Sequence, residues 1–453
     1  MPPADLMPEW HDMQGLVLSP YTHLEESAYL LFQINDPYAA EAQRWLRAVL
    51  PQIAPVEKRV RREDYPDVNV NLALTYSGLK KLSACMGQQP IGFSRAFVEG
   101  IDGSEHRCRI LGDVDRGASI DWEWGGSPRP VDVLLMVFAR NDTLLRHAVL
   151  SLHPHRRQMK RRACIRGTSR ALLKNREHFG FVDGLSQPIL AGSDDAEYFP
   201  TSRHLTALGE FVLGYPNATS GTPQVPSLSR CADLGRNGSY LVLRQLEQKY
   251  FDFWDYCEEQ AGHDPALTAH VAEKIIGRRL DGTPLVPMTS HTNNEFGFAE
   301  DAHGYGCPMG SHIRRANPRD SFDDNNQPAQ AAILTNAHRI LRRGRAYGPP
   351  ATRDHRDDER RGLMFLGLNA SIEQQFEFIQ QNWINSEEFL GVAGECDPLI
   401  GRRVAGNGHR NSFTIPALPR PARLNQLRKF VRVRGGEYFF LPGMRALREL
   451  AQC

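Results

Sequence analysis

The chain holds 453 residues, 41% hydrophobic and 24% charged, an ordinary globular composition long enough for two or three domains. Its 54 Lys and Arg against 53 Asp and Glu leave +1, which argues against a protein held to nucleic acid or a membrane surface by bulk charge. The longest apolar run, residues 133–139, is far too short to cross a bilayer. No Lys or Arg precedes Arg44, so no basic region opens a secretory signal and the expected location is the cytoplasm. The eight cysteines are scattered, with no CxxC pair and no CxxCH. That spacing reads as reduced, buried thiols, and disfavours a zinc site or covalently attached haem.

Residues 29–34 read as a strand. Asp36 before Pro37 reads as an N-cap followed by proline at the first helical position, and the helix runs toward Leu50, where Pro51 stops it. Val68, Val70, Leu72 and Leu74 alternate with Asn69, Asn71, Ala73 and Thr75, a half-buried strand, and Ser77 can cap the helix after it. Residues 131–139 form an apolar strand, with Asp142 as the cap of the next helix. In the second half, 238–244 is a strand followed by a helix through Trp254, and 363–368 is another strand. Ser371 and Gln374 suggest a capping box. Residues 430–433 and 438–441 flank Gly435-Gly436, a hairpin signal, and a last helix begins near Met444. Strands followed singly by helices suggest two α+β domains, antiparallel sheets with helices on one face. The expected division is 1–195 and 196–453. Long irregular stretches, 216–237 and 277–328, fall in the second half, and loops of that length are usually functional.

Three segments carry residues suited to chemistry. Gly180-Phe181-Val182-Asp183-Gly184, followed by Gln187-Pro188, brackets a carboxylate with glycines that let the backbone turn sharply. Alone, it is a plain Asp-Gly turn. Cys307-Pro308-Met309-Gly310-Ser311-His312-Ile313-Arg314-Arg315-Ala316-Asn317-Pro318-Arg319 joins a histidine to several guanidinium groups. A neutral imidazole ligates iron, and the arginines suit an anionic edge such as haem propionates. His338-Arg339-Ile340-Leu341-Arg342-Arg343-Gly344-Arg345-Ala346-Tyr347-Gly348-Pro349 reads as a helix end with a basic last turn, which leaves the need for four arginines unexplained.

In combination and order, these segments resemble the dye-decolorizing (DyP-type) haem peroxidases, in their long bacterial branch. The family's GxxDG motif falls on Gly180 to Gly184, inside His178-Phe179-Gly180-Phe181-Val182-Asp183-Gly184. Its CPxxxHIRxxNPR motif falls on Cys307 to Arg319, and its distal arginine segment on Ile340 to Gly348. Weaker likenesses at Gln14-Gly15-Leu16, Gln375-Phe376-Glu377-Phe378 and Asp397-Pro398-Leu399-Ile400-Gly401 extend it over nearly the whole chain.

The resemblance implies two ferredoxin-like domains with one haem b at their interface, held mainly by the second. It implies His312 as the proximal iron ligand, Asp183 as the distal acid/base and Arg342 as the distal cation. Leu363 and Phe365 would lie over the distal haem, although both also suit the core of a strand. His338 is a rival ligand by residue type, ranked below His312 because it would share a helix face with Arg342. A carboxylate should back His312. Glu377 is the candidate, with Glu373 and Asp397 as rivals. Hydrogen peroxide and small aromatic reductants, dyes and phenolics, are the implied partners, with no nucleic acid and no membrane. Tyr347, Trp254 and Trp383 are candidates for electron relay. A haem-handling protein without turnover is the alternative, and a haem-free binding module or zinc protein a third. Asp183 with Arg342 separates the first two, because a carrier needs no proton shuttle beside a distal cation.

Overall fold

Two sets of strands, four in the first and five in the second, rich in Val, Leu, Ile and Phe, build one largely antiparallel sheet in the computed structural model, which describes residues 7–58, 64–114, 117–219, 221–288, 294–322, 328–403 and 411–452. The first set runs β1 (Glu26–Ile34), α1 (Ala39–Val49), β2 (Val68–Leu74), α2 (Tyr76–Cys85), β3 (Val133–Ala139), α3 (Asp142–Ser151) and β4 (Met159–Arg166), with spatial order β2-β3-β1-β4. The second runs β5 (Ser239–Gln248), α4 (Tyr250–Gln260), α5 (Pro265–Ile276), α6 (His312–Ala316), β6 (Leu341–Arg342), β7 (Arg345–Tyr347), β8 (Gly362–Asn369), β9 (Val431–Leu441) and α7 (Met444–Leu450). Its order, β6 and β7 on β8, then β5, then β9, repeats that of the first set. Each half is a ferredoxin-like α+β unit, and the pair Phe440–Leu74 joins β9 to β2.

Strand β3 explains why its sequence is apolar throughout. Val133, Leu135, Val137 and Ala139 face one core, and Leu134, Met136 and Phe138 face another. The first core is roofed by helices, through Trp45 and Leu46 of α1, Leu79 and Leu82 of α2, Leu145 of α3 and Leu447 and Leu450 of α7. The second is covered by irregular chain carrying Met13, Leu16, Val17, Tyr21, Phe211 and Val212. The last helix returns to the first half: Gln43 Nε2 donates to Leu450 O at 3.2 Å, and Gln14 Nε2 to Pro442 O at 2.9 Å.

Several local expectations are corrected. Gly435-Gly436 is not a hairpin turn, because β9 runs unbroken through both residues. A Cβ on Gly435 would lie 2.5 Å from the Trp124 ring, and the short strand Trp124–Gly125 pairs in parallel with these glycines. They make room for a tryptophan. Thr75, rather than Ser77, caps α2 by accepting from Gly78 N at 3.1 Å, and Asn141 caps α3, with Asp142 its first residue. Asp36 makes no cap bond and pairs with Lys81 at 3.0 Å. Ser371 does accept from Gln374 N at 3.2 Å, but Gln375, not Gln374, returns the bond to Ser371 N.

No helix among the described residues is long and apolar enough to cross a membrane. The seven described cysteines are unbridged.

Candidate active site

The turn after β4 carries Asp183. Glu177 N donates to Phe181 O at 2.9 Å, and Gly180 takes φ +101°, a conformation open to glycine. Phe179 and Phe181 anchor the turn in an aromatic cluster, with the Phe179 and Phe253 rings 4.4 Å apart. The buried His178 ring donates through Nε2 to Tyr347 O at 2.8 Å, tying the turn to β7. Burial without a charged partner drives the His178 pKa down to about 4, so this histidine is a neutral strut. Asp183 itself is exposed enough to meet a ligand, with 43% of its side chain accessible. Its Oδ1 accepts from Gly184 N at 2.6 Å and from Arg342 Nη1 at 3.3 Å.

Arg342 lies on β6, opposite Gly367 of β8. Gln187 Oε1 accepts from its backbone N–H at 3.1 Å, so the Gln-Pro after the glycine turn holds the strand that carries the cation. The neighbouring arginines are spent elsewhere. Arg343 donates to the carbonyls of Leu16, Val17 and Leu18, and Arg345 to those of Leu24 and Tyr21. They bind the N-terminal segment to the sheet. Arg339 donates through Nη1 to His204 Nδ1 at 3.2 Å, while its buried Nη2 has no partner among the described residues.

His312 opens α6 and faces the same cavity. Its Nδ1–H donates to Asp397 Oδ2 at 2.9 Å. Asp397 is fully buried, and its Oδ1 accepts from Leu399 N and Ile400 N, each at 2.9 Å. Burial raises the Asp397 pKa, but the His312 imidazole and these donors overcome it and hold the carboxyl below its ordinary range. Burial likewise opposes charge on His312, and the Asp397 carboxylate outweighs it, so the His312 pKa is raised. This arrangement leaves Nε2 as the ring nitrogen open to the cavity.

Glu377 does not back His312. Its Oε1 accepts from Arg107 Nε at 2.6 Å and from Tyr438 Oη at 2.9 Å, on the helix-covered side of the sheet. Glu373 accepts from Ala96 N at 2.8 Å. The rival Asp397 occupies the position. His338 donates to Gln374 O at 2.6 Å and stacks on Phe378 with ring centroids 3.7 Å apart, outside the cavity lining. The arginines after His312 also depart from expectation. Arg314 donates to Cys307 O, Arg315 to Trp383 O and Glu395 O, and Arg319 to Asn294 O and Phe296 O. They order the long loop, and the cations lining the cavity are Arg278, Arg339 and Arg342.

The cavity between Asp183–Arg342 and His312–Asp397 measures about 280 Å³. Leu363 and Phe365 line it from β8 with Leu246, Ile313, Phe376 and Leu399. A second cavity, about 190 Å³ and lined by Thr168, Arg170, Asn175 and Arg176, meets it at Asp183, Arg342 and Glu177. A small polar molecule therefore has a separate approach to the Asp183–Arg342 pair. Sequence reasoning missed Glu177, Gln248, Arg278 and Arg339 as residues of this region. Only Arg339 had a signal, a fourth arginine that a basic helix end did not require.

No family model matches the sequence. The chain is 30% identical over 476 residues to dye-decolorizing peroxidase msp1 of the fungus Mycetinis scorodonius, covering 96% of this chain and 86% of that one. It is 33% identical over 304 residues to the multifunctional dye peroxidase DyP2 of Amycolatopsis sp., covering 60% and 61%. Its fold matches an ancestral D-type dye-decolorizing peroxidase with a TM-score of 0.80 and 24% identity, over 99% of this chain and 100% of that one. Relatives from a fungus and from Amycolatopsis sp. assign the family without assigning its bacterial branch. Similarity running through both halves, and not through one motif, carries the assignment: the chain belongs to the dye-decolorizing peroxidases, a family of haem enzymes.

Proposed function

We propose that this peroxidase binds one haem b in the cavity between its two ferredoxin-like halves, residues 1–195 and 196–453, and uses hydrogen peroxide to oxidise small aromatic reductants such as dyes and phenolics. The observation that carries the reading is a single apolar cavity with the His312–Asp397 pair on one side and the Asp183–Arg342 pair on the other. The residues fit the cofactor. His312 offers Nε2 to iron, Leu363 and Phe365 offer apolar contact to the macrocycle, and Arg339 Nη2, without a partner among the described residues, offers a charge that a propionate would satisfy. The bound haem supplies the redox chemistry that splits the peroxide O–O bond and stores the oxidising equivalents.

The protein moves the protons. Asp183, as a carboxylate, accepts a proton from the inner peroxide oxygen and returns it to the outer one, which leaves as water. Arg342, 3.3 Å from that carboxylate, orients it and stabilises negative charge developing on the departing oxygen. Asp397 fixes the His312 tautomer and raises the electron density of the ligating nitrogen. A haem-handling protein would not require Asp183 and Arg342 to converge, and their pairing favours turnover. A reducing compartment suits eight cysteines scattered without a CxxC pair, in keeping with a cytoplasmic site.

The absorbance spectrum tests the assignment. Purified parent protein should show a Soret band, His312→Ala should lose haem or change the band, and His338→Ala should leave it unaltered. An unchanged spectrum and full haem loading in His312→Ala would overturn the assignment of His312 as the residue that would hold the iron.

A further inference from the structure

Glu177 has no part in the chemistry above, yet it is a half-buried carboxyl on the wall shared by both cavities. Its Oε2 accepts from Phe179 N at 2.9 Å and its Oε1 from Phe181 N at 2.8 Å, so one carboxylate holds two amides of the turn that leads into Asp183. Its own backbone closes the same turn, with Gly180 N donating to Glu177 O at 2.9 Å. Across the cavity edge, Gln248 at the end of β5 donates its Nε2 to Glu177 Oε2. The Gln248 carbonyl oxygen is buried and has no partner among the described residues. An amide placed this way has a second use. Rotated by half a turn, it presents its oxygen to Glu177, and only a protonated carboxyl can donate to it.

We propose that Glu177 is a positioning residue for Asp183: its ionised carboxylate clamps the 177–181 turn, and its protonation, answered by rotation of the Gln248 amide, loosens that clamp. The proton comes from solvent through the second cavity, and no other bond is made or broken. Burial pushes the Glu177 pKa up to about 7, against the bonds from Gln248, Phe179 and Phe181, so the exchange falls in the neutral range. The charged groups around it are Asp183 and Arg176 on its own loop, Arg342 on β6, Arg278 after α5 and His312 on α6. Glu247 and Lys249 flank Gln248 and pair with each other at 2.6 Å. The inference rests on reading Asp183 as the distal proton acceptor.

Cyanide association with the ferric holoprotein tests it, followed by stopped-flow absorbance across pH. Hydrogen cyanide must give up its proton to bind iron, so the rate reports how well Asp183 is presented. The parent rate should fall as pH drops through about 7. Glu177→Gln should be slow at every pH and lose that inflection. Gln248→Met, a milder change, should move the inflection to higher pH, because the donor that favours the Glu177 anion is gone. Asp183→Asn should be slow throughout. If Asp183→Asn binds cyanide at the parent rate, the distal reading fails and the clamp with it. If Asp183→Asn is slow but Glu177→Gln keeps the parent's inflection, or Gln248→Met leaves it in place, the clamp alone is overturned.

Discussion

Asp397→Asn isolates what the buried carboxylate does for His312. The substitution keeps size and shape, and the amide oxygen can still accept from Leu399 N and Ile400 N as Oδ1 does now, at 2.9 Å each. What changes is the other atom. An NH2 group then faces His312 Nδ1–H, donor against donor, where a 2.9 Å bond stood. The imidazole can escape only by moving its proton to Nε2, and that puts N–H where a lone pair must meet iron. Either outcome weakens the ligand. Partners that orient metal-binding histidines are worth about 10–100-fold in affinity, or about 1.4–2.8 kcal/mol at 1.4 kcal/mol per decade. The assay is transfer of haem from the ferric protein to an excess of a high-affinity scavenger, followed in the Soret region, with circular dichroism to confirm that the fold persists. Asp397→Asn should release haem about 10–100 times faster than the parent. Release at the parent rate, with an unshifted Soret band, would refute the argument that Asp397 sets the tautomer.

Asp183→Asn and Arg342→Leu should each slow the reaction of ferric protein with peroxide while haem stays bound, one by removing the proton acceptor and the other the stabilising charge; stopped-flow rates equal to the parent's would contradict both roles. Gly435→Ala drives a methyl to 2.5 Å from the Trp124 ring and should cost about 1–3 kcal/mol, the usual penalty of overpacking, read from the urea midpoint. Glu437, buried and accepting from Ile101 N, Gly126 N and Tyr438 N, is pushed by burial from 4.5 up to about 7. Between those values the folded chain holds a proton that the unfolded chain has released, so this residue lowers stability as pH rises through that window. Glu437→Gln should flatten the decline between pH 4.5 and 7 in denaturant titrations, and an unchanged slope would count against it.

The strands and the three motifs were legible because each is local. Alternation along β2, which marks the strand although Asn69, Asn71 and Ala73 are buried too and the strand is not half-exposed as expected, the unbroken apolar run of β3, and glycines bracketing Asp183 are written within a few residues of one another. The partner of His312 was not local. Asp397 lies 85 positions away, and nothing in composition ranks it above Glu377 or Glu373. The choice was made by packing: Arg107 and Tyr438 claim Glu377, Ala96 N claims Glu373, and Asp397 alone of the three meets the imidazole. The arginines show the same limit. A sequence counts guanidinium groups but does not say which face of a strand or loop each takes, and here most are consumed by backbone carbonyls while Arg339 and Arg342 reach the cavity. Gly435-Gly436 reads as a turn by residue type, since both turns and close approaches favour glycine, and only the tryptophan arriving from residue 124 settles which use is made. Short-range periodicity determines what an element is. Which side chains meet across elements depends on long-range contacts whose partners the chain brings together only on folding.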